Sequence, residues 1–186
     1  MQNKPGRVCP VERAGALDSK IRRWFQDPAK ILAPYLQPGM TVMDFGCGPG
    51  FFTLDMARIV GDAGRVIATD LQQGMLDKVG IKIQGTDLQD RIILHRCGES
   101  RIQYLKPIDF FFSFYVVHEV PDQLALFREI SGMLKPDGKV FIAEPPVHVS
   151  RKQFAATVAA AEKNGLQLRE EPRVFFSKTA VLVKDP

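Results

Sequence analysis

The sequence predicts an α/β fold: a mostly parallel seven-stranded sheet with helices on both faces and an antiparallel last strand, forming a three-layer sandwich. Three observations predict it. Short apolar runs alternate with helical patterns through most of the chain, the order that a parallel sheet with crossover helices requires. A glycine-rich turn follows the first apolar run, where open sheets of this kind bind ligands. The last two runs follow each other across a short turn, which suits antiparallel neighbours.

The elements follow in order. Residues 1–15 read as irregular, with Pro5, Gly6, Pro10 and Gly15. LDSKIRRWFQ is an amphipathic helix that Asp18 or Ser19 caps. Asp27-Pro28 starts another, with Ile31, Leu32, Tyr35 and Leu36 on one face and Pro38-Gly39 as its stop. MTVMDFG is the first strand, buried on both faces. PGFFTLDMARIVG is a helix closed by Gly61, and RVIATD is the second strand. QQGMLDKVGIKIQG is helical, DRIILHRC is the third strand and IDFFFSFY the fourth. Pro121-Asp122 opens a helix that stops near Lys135-Pro136, before KVFIAEP as the fifth strand. A helix capped by Ser150 and stopped by Gly165 precedes two final strands, LQLREEPRVFF and TAVLVKD.

The bulk numbers fit one soluble domain. The chain has 186 residues, 45% hydrophobic and 25% charged. No stretch approaches the roughly 20 apolar residues of a membrane-spanning helix, and the N-terminus lacks a secretory apolar run. Cys9, Cys47 and Cys97 are odd in number and lack CxxC spacing, which argues against a disulfide scaffold or zinc ribbon and for a cytoplasmic protein. No histidine pair has metal-ligand spacing, and no metal is expected. Residues 1–37 hold seven cations and three anions, which accounts for the whole net charge of +4. We read residues 1–37 as a helical leader or lid and 38–186 as the main domain.

The chemistry sits in Val42-Met43-Asp44-Phe45-Gly46-Cys47-Gly48-Pro49-Gly50. Its glycines are spaced GxGxG and followed by Phe51, whereas the dinucleotide fingerprint is GxGxxG. Asp44 would repel a pyrophosphate but would attract a ligand carrying an ammonium group. Asp70, at the end of the second strand, is placed to accept both hydroxyls of a ribose.

Over roughly residues 38–145 these segments resemble the class I (Rossmann-like) S-adenosylmethionine-dependent methyltransferases. DFGCGPG is similar to that family's first motif, which lies against the methionine part of the cofactor. The resemblance implies cofactor contacts from Asp44, Gly46, Cys47, Gly48 and Gly50. VIATD looks like the second motif, with Asp70 on the ribose, and LQQGML like the stretch whose apolar side chain, Leu71 or Met75, lies on adenine. CGES is similar to the third motif, with Glu99 at the adenine amino group beside Gly98 and Ser100; glutamate stands there where aspartate is common. IDFFFSFYVVHEV looks like the fourth motif, which ends beside the transferred methyl and places Phe114 at the cofactor. The chain is closest in pattern to the small-molecule group that includes ubiquinone and menaquinone biosynthesis enzymes.

Methyl transfer from a sulfonium needs alignment and, for some acceptors, a base. Tyr115 and His118 are the candidate catalytic residues, with Glu119 either orienting His118 or capping the next helix, and His148 able to reach substrate. These readings imply a small-molecule acceptor, anionic or aromatic, with no stable nucleic-acid partner and no transmembrane segment. The alternatives are a methyltransferase acting on protein or RNA and a non-catalytic cofactor-binding protein.

Overall fold

The computed structural model describes residues 20–99 and 101–184. The caps expected at Asp18 or Ser19, the thiol Cys9 and the motif residue Ser100 lie outside the described residues. Within them the order is α1 (Lys20–Phe25), α2 (Pro28–Leu32), β1 (Thr41–Phe45), α3 (Thr53–Val60), β2 (Arg65–Asp70), α4 (Gln73–Ile83), β3 (Ile92–Arg96), β4 (Ile108–Phe114), α5 (Gln123–Met133), β5 (Leu134–Glu144), α6 (Arg151–Glu162), β6 (Leu166–Glu170) and β7 (Lys178–Lys184). The strands form one seven-stranded sheet in the order β3-β2-β1-β4-β5-β7-β6. Pairs from β3 through β5 are parallel, and β7 runs antiparallel to both β5 and β6. The predicted fold class is the observed one.

Local chemistry explains where the helices begin. The Asp27 carboxylate accepts from the backbone N–H groups of Ala29 and Lys30, and Pro28 opens α2. Asp122 accepts from the N–H of Ala125 and starts α5. Ser150 and Gln153 form a reciprocal capping box at α6. The helix expected through Leu36 stops at Leu32, yet Tyr35 and Leu36 are still buried, and the Tyr35 ring stacks 6.0 Å from Phe110.

The sheet has a core on each face. Phe110, Phe112 and Phe141 pack with Phe52, Leu76 and Val79 on one side. Phe111, Met43 and Ile67 pack with Phe127, Ile130 and Phe154 on the other. Successive residues of β4 therefore serve opposite cores, and its run of phenylalanines is what a central parallel strand demands. Each fully buried phenylalanine stabilises the fold by about 1.5–3 kcal/mol over an exposed one.

Two boundaries differ from the sequence reading. β5 starts at Leu134, before the expected stop at Lys135-Pro136, because Leu134 pairs with Ile108 before the register shifts and Lys139 pairs with Phe110. Pro136 is tolerated there because the shift removes the need for its missing N–H, and Asp137 takes a left-handed φ of 60°. β6 ends at Glu170 rather than continuing through Phe176, which leaves Phe175 and Phe176 exposed in the connection to β7.

Candidate active site

β1, β2, β4 and β5 are mutually parallel neighbours, so their carboxyl ends share one edge of the sheet. Strand order reverses direction at β1, the topological switch point where such sheets bind ligands. The glycine turn follows β1. The N–H groups of Gly46 and Cys47 both donate to Thr69 O, at 2.8 and 3.0 Å, which pins the turn to the end of β2. Gly46 has φ +72°, and a Cβ there would lie 2.3 Å from Val116 Cγ2. Gly50 has φ +90°. Glycine alone meets both demands without strain.

Two buried carboxylates flank this turn. Asp44, on β1, is 3% exposed and accepts a 2.6 Å hydrogen bond from Thr53 Oγ1 at the start of α3. Burial pushes its pKa up to about 7, with Asp70 adding to the rise and the Thr53 bond and Arg22 charge opposing it. Asp70 ends β2. Its Oδ2 accepts from Gly48 N–H at 2.9 Å and its Oδ1 from Gln72 N–H at 2.8 Å. Burial raises its pKa, while backbone donors at Gln72, Gly48 and Leu71 pull it down. An ionised carboxylate has about four acceptor positions, so Asp70 can hold the loop and still accept from a ligand.

The remaining predicted cofactor residues fall around the same edge. Met75 is buried in the first turn of α4, and Leu71 is half-buried beside it in sequence. Cys97 N–H donates to Asp70 O at 3.1 Å, which brings the Cys97-Gly98-Glu99 segment to the end of β2, with Gly98 and Glu99 exposed. Phe114 is buried against Phe52, with ring centroids 4.7 Å apart. Burial pushes both thiols up, that of Cys97 to about 11, which disfavours the reactive thiolate form at Cys47 and Cys97.

The candidate catalytic residues occupy the turn after β4. Tyr115 has φ 67°. Its hydroxyl accepts from Gln26 Nε2 at 2.8 Å, donates to Phe176 O at 2.8 Å and lies 2.8 Å from Ser177 Oγ. That hydroxyl ties α1 to the β6–β7 connection. His118 sits in the one-turn helix Val117–Glu119, with its side chain a quarter exposed. Its Nδ1 lies 2.5 Å from Glu144 Oε2, and its backbone N–H donates to Glu144 Oε1 at 3.0 Å. Glu144 ends β5 and is 1% exposed. Burial lowers the His118 pKa, but the Glu144 hydrogen bond and charge and the Glu119 charge outweigh it, and the net shift is upward. His148 is exposed with its ring 6.4 Å from that of His118 and nearly parallel to it.

Sequence reasoning found His118 and His148 and offered Glu119 either as the residue that orients His118 or as the cap of the next helix. Glu144 orients His118, and Asp122 caps α5. Glu119 does neither; burial pushes its pKa to about 7. The signal for Glu144 was there, an ionisable residue closing the apolar run Val140, Phe141, Ile142 and Ala143.

A turn with glycine at every second position, a buried carboxylate on β1 and another ending β2 fit the cofactor site of a class I S-adenosylmethionine-dependent methyltransferase. The residues fit that cofactor: Asp70 and Asp44 offer acceptors that suit hydroxyls and a cation. The methyltransferase domain family matches residues 43–142, more than half of the chain, and the chain belongs to it. Over 110 residues it is 36% identical to a demethylmenaquinone methyltransferase of Lactobacillus johnsonii, covering 59% of this chain and 45% of that one. The chain spans about half the length of the curated relatives it matches. Among solved structures, a SAM-dependent methyltransferase from Aquifex aeolicus superposes with TM-score 0.84 at 24% identity, over 95% of this chain and 99% of that one. Aeropyrum pernix fibrillarin with natively bound S-adenosyl-L-methionine shares the fold at TM-score 0.66 and 12% identity, over 83% of this chain and 73% of that one.

Proposed function

We propose that this chain transfers a methyl group from S-adenosylmethionine to a small aromatic acceptor bearing an ionisable hydroxyl, with His118 as general base. The observation that carries this reading is the His118–Glu144 pair at the carboxyl ends of β4 and β5, beside the glycine turn. When bound, the cofactor supplies an activated methyl on a sulfonium, whose carbon–sulfur electron pair stays with sulfur. His118 takes the acceptor's proton at Nε2, since Nδ1 is held by Glu144. Glu144 fixes the ring and stabilises its protonated form.

An aromatic acceptor is favoured over an anionic one. Glu119 and Glu144 flank His118, and an anion entering there would meet their charge. Exposed rings gather beside the segment that holds Tyr115 instead: Trp24 next to Phe25, Phe25 stacked 5.0 Å from Phe175, and Phe175 beside Phe176. The curated relatives are named for a quinone-type acceptor, demethylmenaquinone. The Gln26 and Phe25 contacts to the β6–β7 connection support a lid role for the segment 1–37. No helix among the described residues is long and apolar enough to cross a membrane.

Incubation with methyl-labelled S-adenosylmethionine and a short-chain naphthohydroquinone should put label on the quinol. Label confined to cationic amines, protein or RNA would reject the acceptor class. A second test isolates the base. Glu144 favours the imidazolium, so Glu144→Gln lowers the His118 pKa. The acid limb of the kcat–pH profile should therefore move to lower pH, with kcat itself reduced about tenfold or more. A lower kcat with an unmoved limb would make Glu144 a packing residue only.

A further inference from the structure

We propose that Arg22, from outside the sheet, completes the cofactor site by binding the carboxylate of the methionine end of S-adenosylmethionine, opposite Asp44, which takes its ammonium. The inference rests on the cofactor reading above and adds a residue that the glycine motif does not contain.

The charge problem is general. The methionine end carries a sulfonium, an ammonium and a carboxylate. Asp44 suits the two cations and repels the carboxylate, and it does so from a buried position where charges act strongly. A cation must offset that repulsion. The Arg22 guanidinium lies 4.3 Å from the centroid of the Phe51 ring, 5.4 Å from that of Phe114 and 5.7 Å from that of Phe52. Phe51 follows Gly50 directly, and Thr53, two residues further on, donates to Asp44. The guanidinium therefore rests on the segment that joins the glycine turn to the Asp44 partner. Its charge reaches Asp44, whose pKa it lowers.

The placement is set by the fold. Arg22 Nε donates to Gln26 Oε1 at 3.0 Å, which orients the planar fork. The helix is fastened by Arg23 to Asp55 at 2.6 Å, by Gln26 to Tyr115 at 2.8 Å and by Phe25 stacked on Phe175. A guanidinium carries paired N–H donors, the geometry that matches a carboxylate; a lysine ammonium does not.

The test is calorimetric titration of the full chain with S-adenosylhomocysteine and with its decarboxylated analogue. Arg22→Ala should weaken S-adenosylhomocysteine about tenfold to a hundredfold and leave the decarboxylated analogue within about twofold. Arg22→Lys, which keeps the charge, should restore only part of the loss. If Arg22→Ala tightens both ligands, Arg22 is a stand-in for the ligand's cation that must be displaced, and the proposal fails. If both ligands weaken equally, Arg22 only fastens α1, and the proposal again fails. Wild-type chain that binds neither ligand would overturn the cofactor reading itself, an outcome distinct from wild-type binding that Arg22→Ala leaves unchanged.

Discussion

Replacing His118 by alanine should lower kcat for methyl transfer at pH 7 by about 10²- to 10⁴-fold, the range that a positioned general base contributes. The affinity for S-adenosylhomocysteine should stay within about threefold of wild type, because the glycine turn, Asp44 and Asp70 make their hydrogen bonds without His118. That split separates a base from a cofactor-binding group. The loss should also shrink as pH approaches the acceptor hydroxyl's own pKa, near ~10 for a phenol, since an ionised acceptor needs no base. In wild type, activity should fall on the acid side of a pKa above the ordinary imidazole value, because Glu144 and Glu119 favour the protonated ring. A loss below about threefold at pH 7, or one that does not depend on pH, would leave alignment as the only catalytic device.

How far this site could be read in advance depends on sequence distance. The glycine turn and Asp70 were legible because strand, turn and strand end are local, and their roles follow from backbone geometry. The partnership of His118 with Glu144 was not, because 26 residues separate the two. Only the parallel register of β4 on β5, with Phe114 opposite Ala143, brings the residue after Ala143 beside the turn that follows β4. Glu119, adjacent in sequence, was read as either orienting His118 or capping the next helix, but adjacent residues on a one-turn helix do not face each other.

Tyr115 shows the same limit from the other side. Its position after β4 was clear, but its hydroxyl partners, Gln26, Phe176 and Ser177, come from both ends of the described chain. A phenol held by three neighbours is a latch between α1 and the β6–β7 connection, and we assign it that role rather than catalysis. The early end of β6 belongs to the same feature. Glu170 opposite Val181 closes the pairing, and the next residues leave the sheet edge to place the Phe176 carbonyl on the tyrosine hydroxyl and the Phe175 ring on Phe25. Residue pattern favoured a strand; contact with α1 decided otherwise.

Asp70→Ala should raise the Kd for S-adenosylhomocysteine by about a hundredfold or more. Two effects combine. Hydrogen bonds to a charged acceptor contribute about 1.5–3 kcal/mol each, and a ribose offers two hydroxyls. The same carboxylate also holds Gly48 N–H and Gln72 N–H, so its removal loosens the turn that lies against the methionine end. Asp70→Asn should recover little, because an amide presents N–H on one side, and either Gly48 or Gln72 would then face a donor. Nucleoside fragments separate the two effects. Adenosine should lose affinity on Asp70→Ala, whereas 2′,3′-dideoxyadenosine, lacking both hydroxyls, should bind wild type and variant alike. Equal losses for the two nucleosides would assign Asp70 to the loop alone, and undiminished binding of S-adenosylhomocysteine would remove the ribose from the end of β2 altogether.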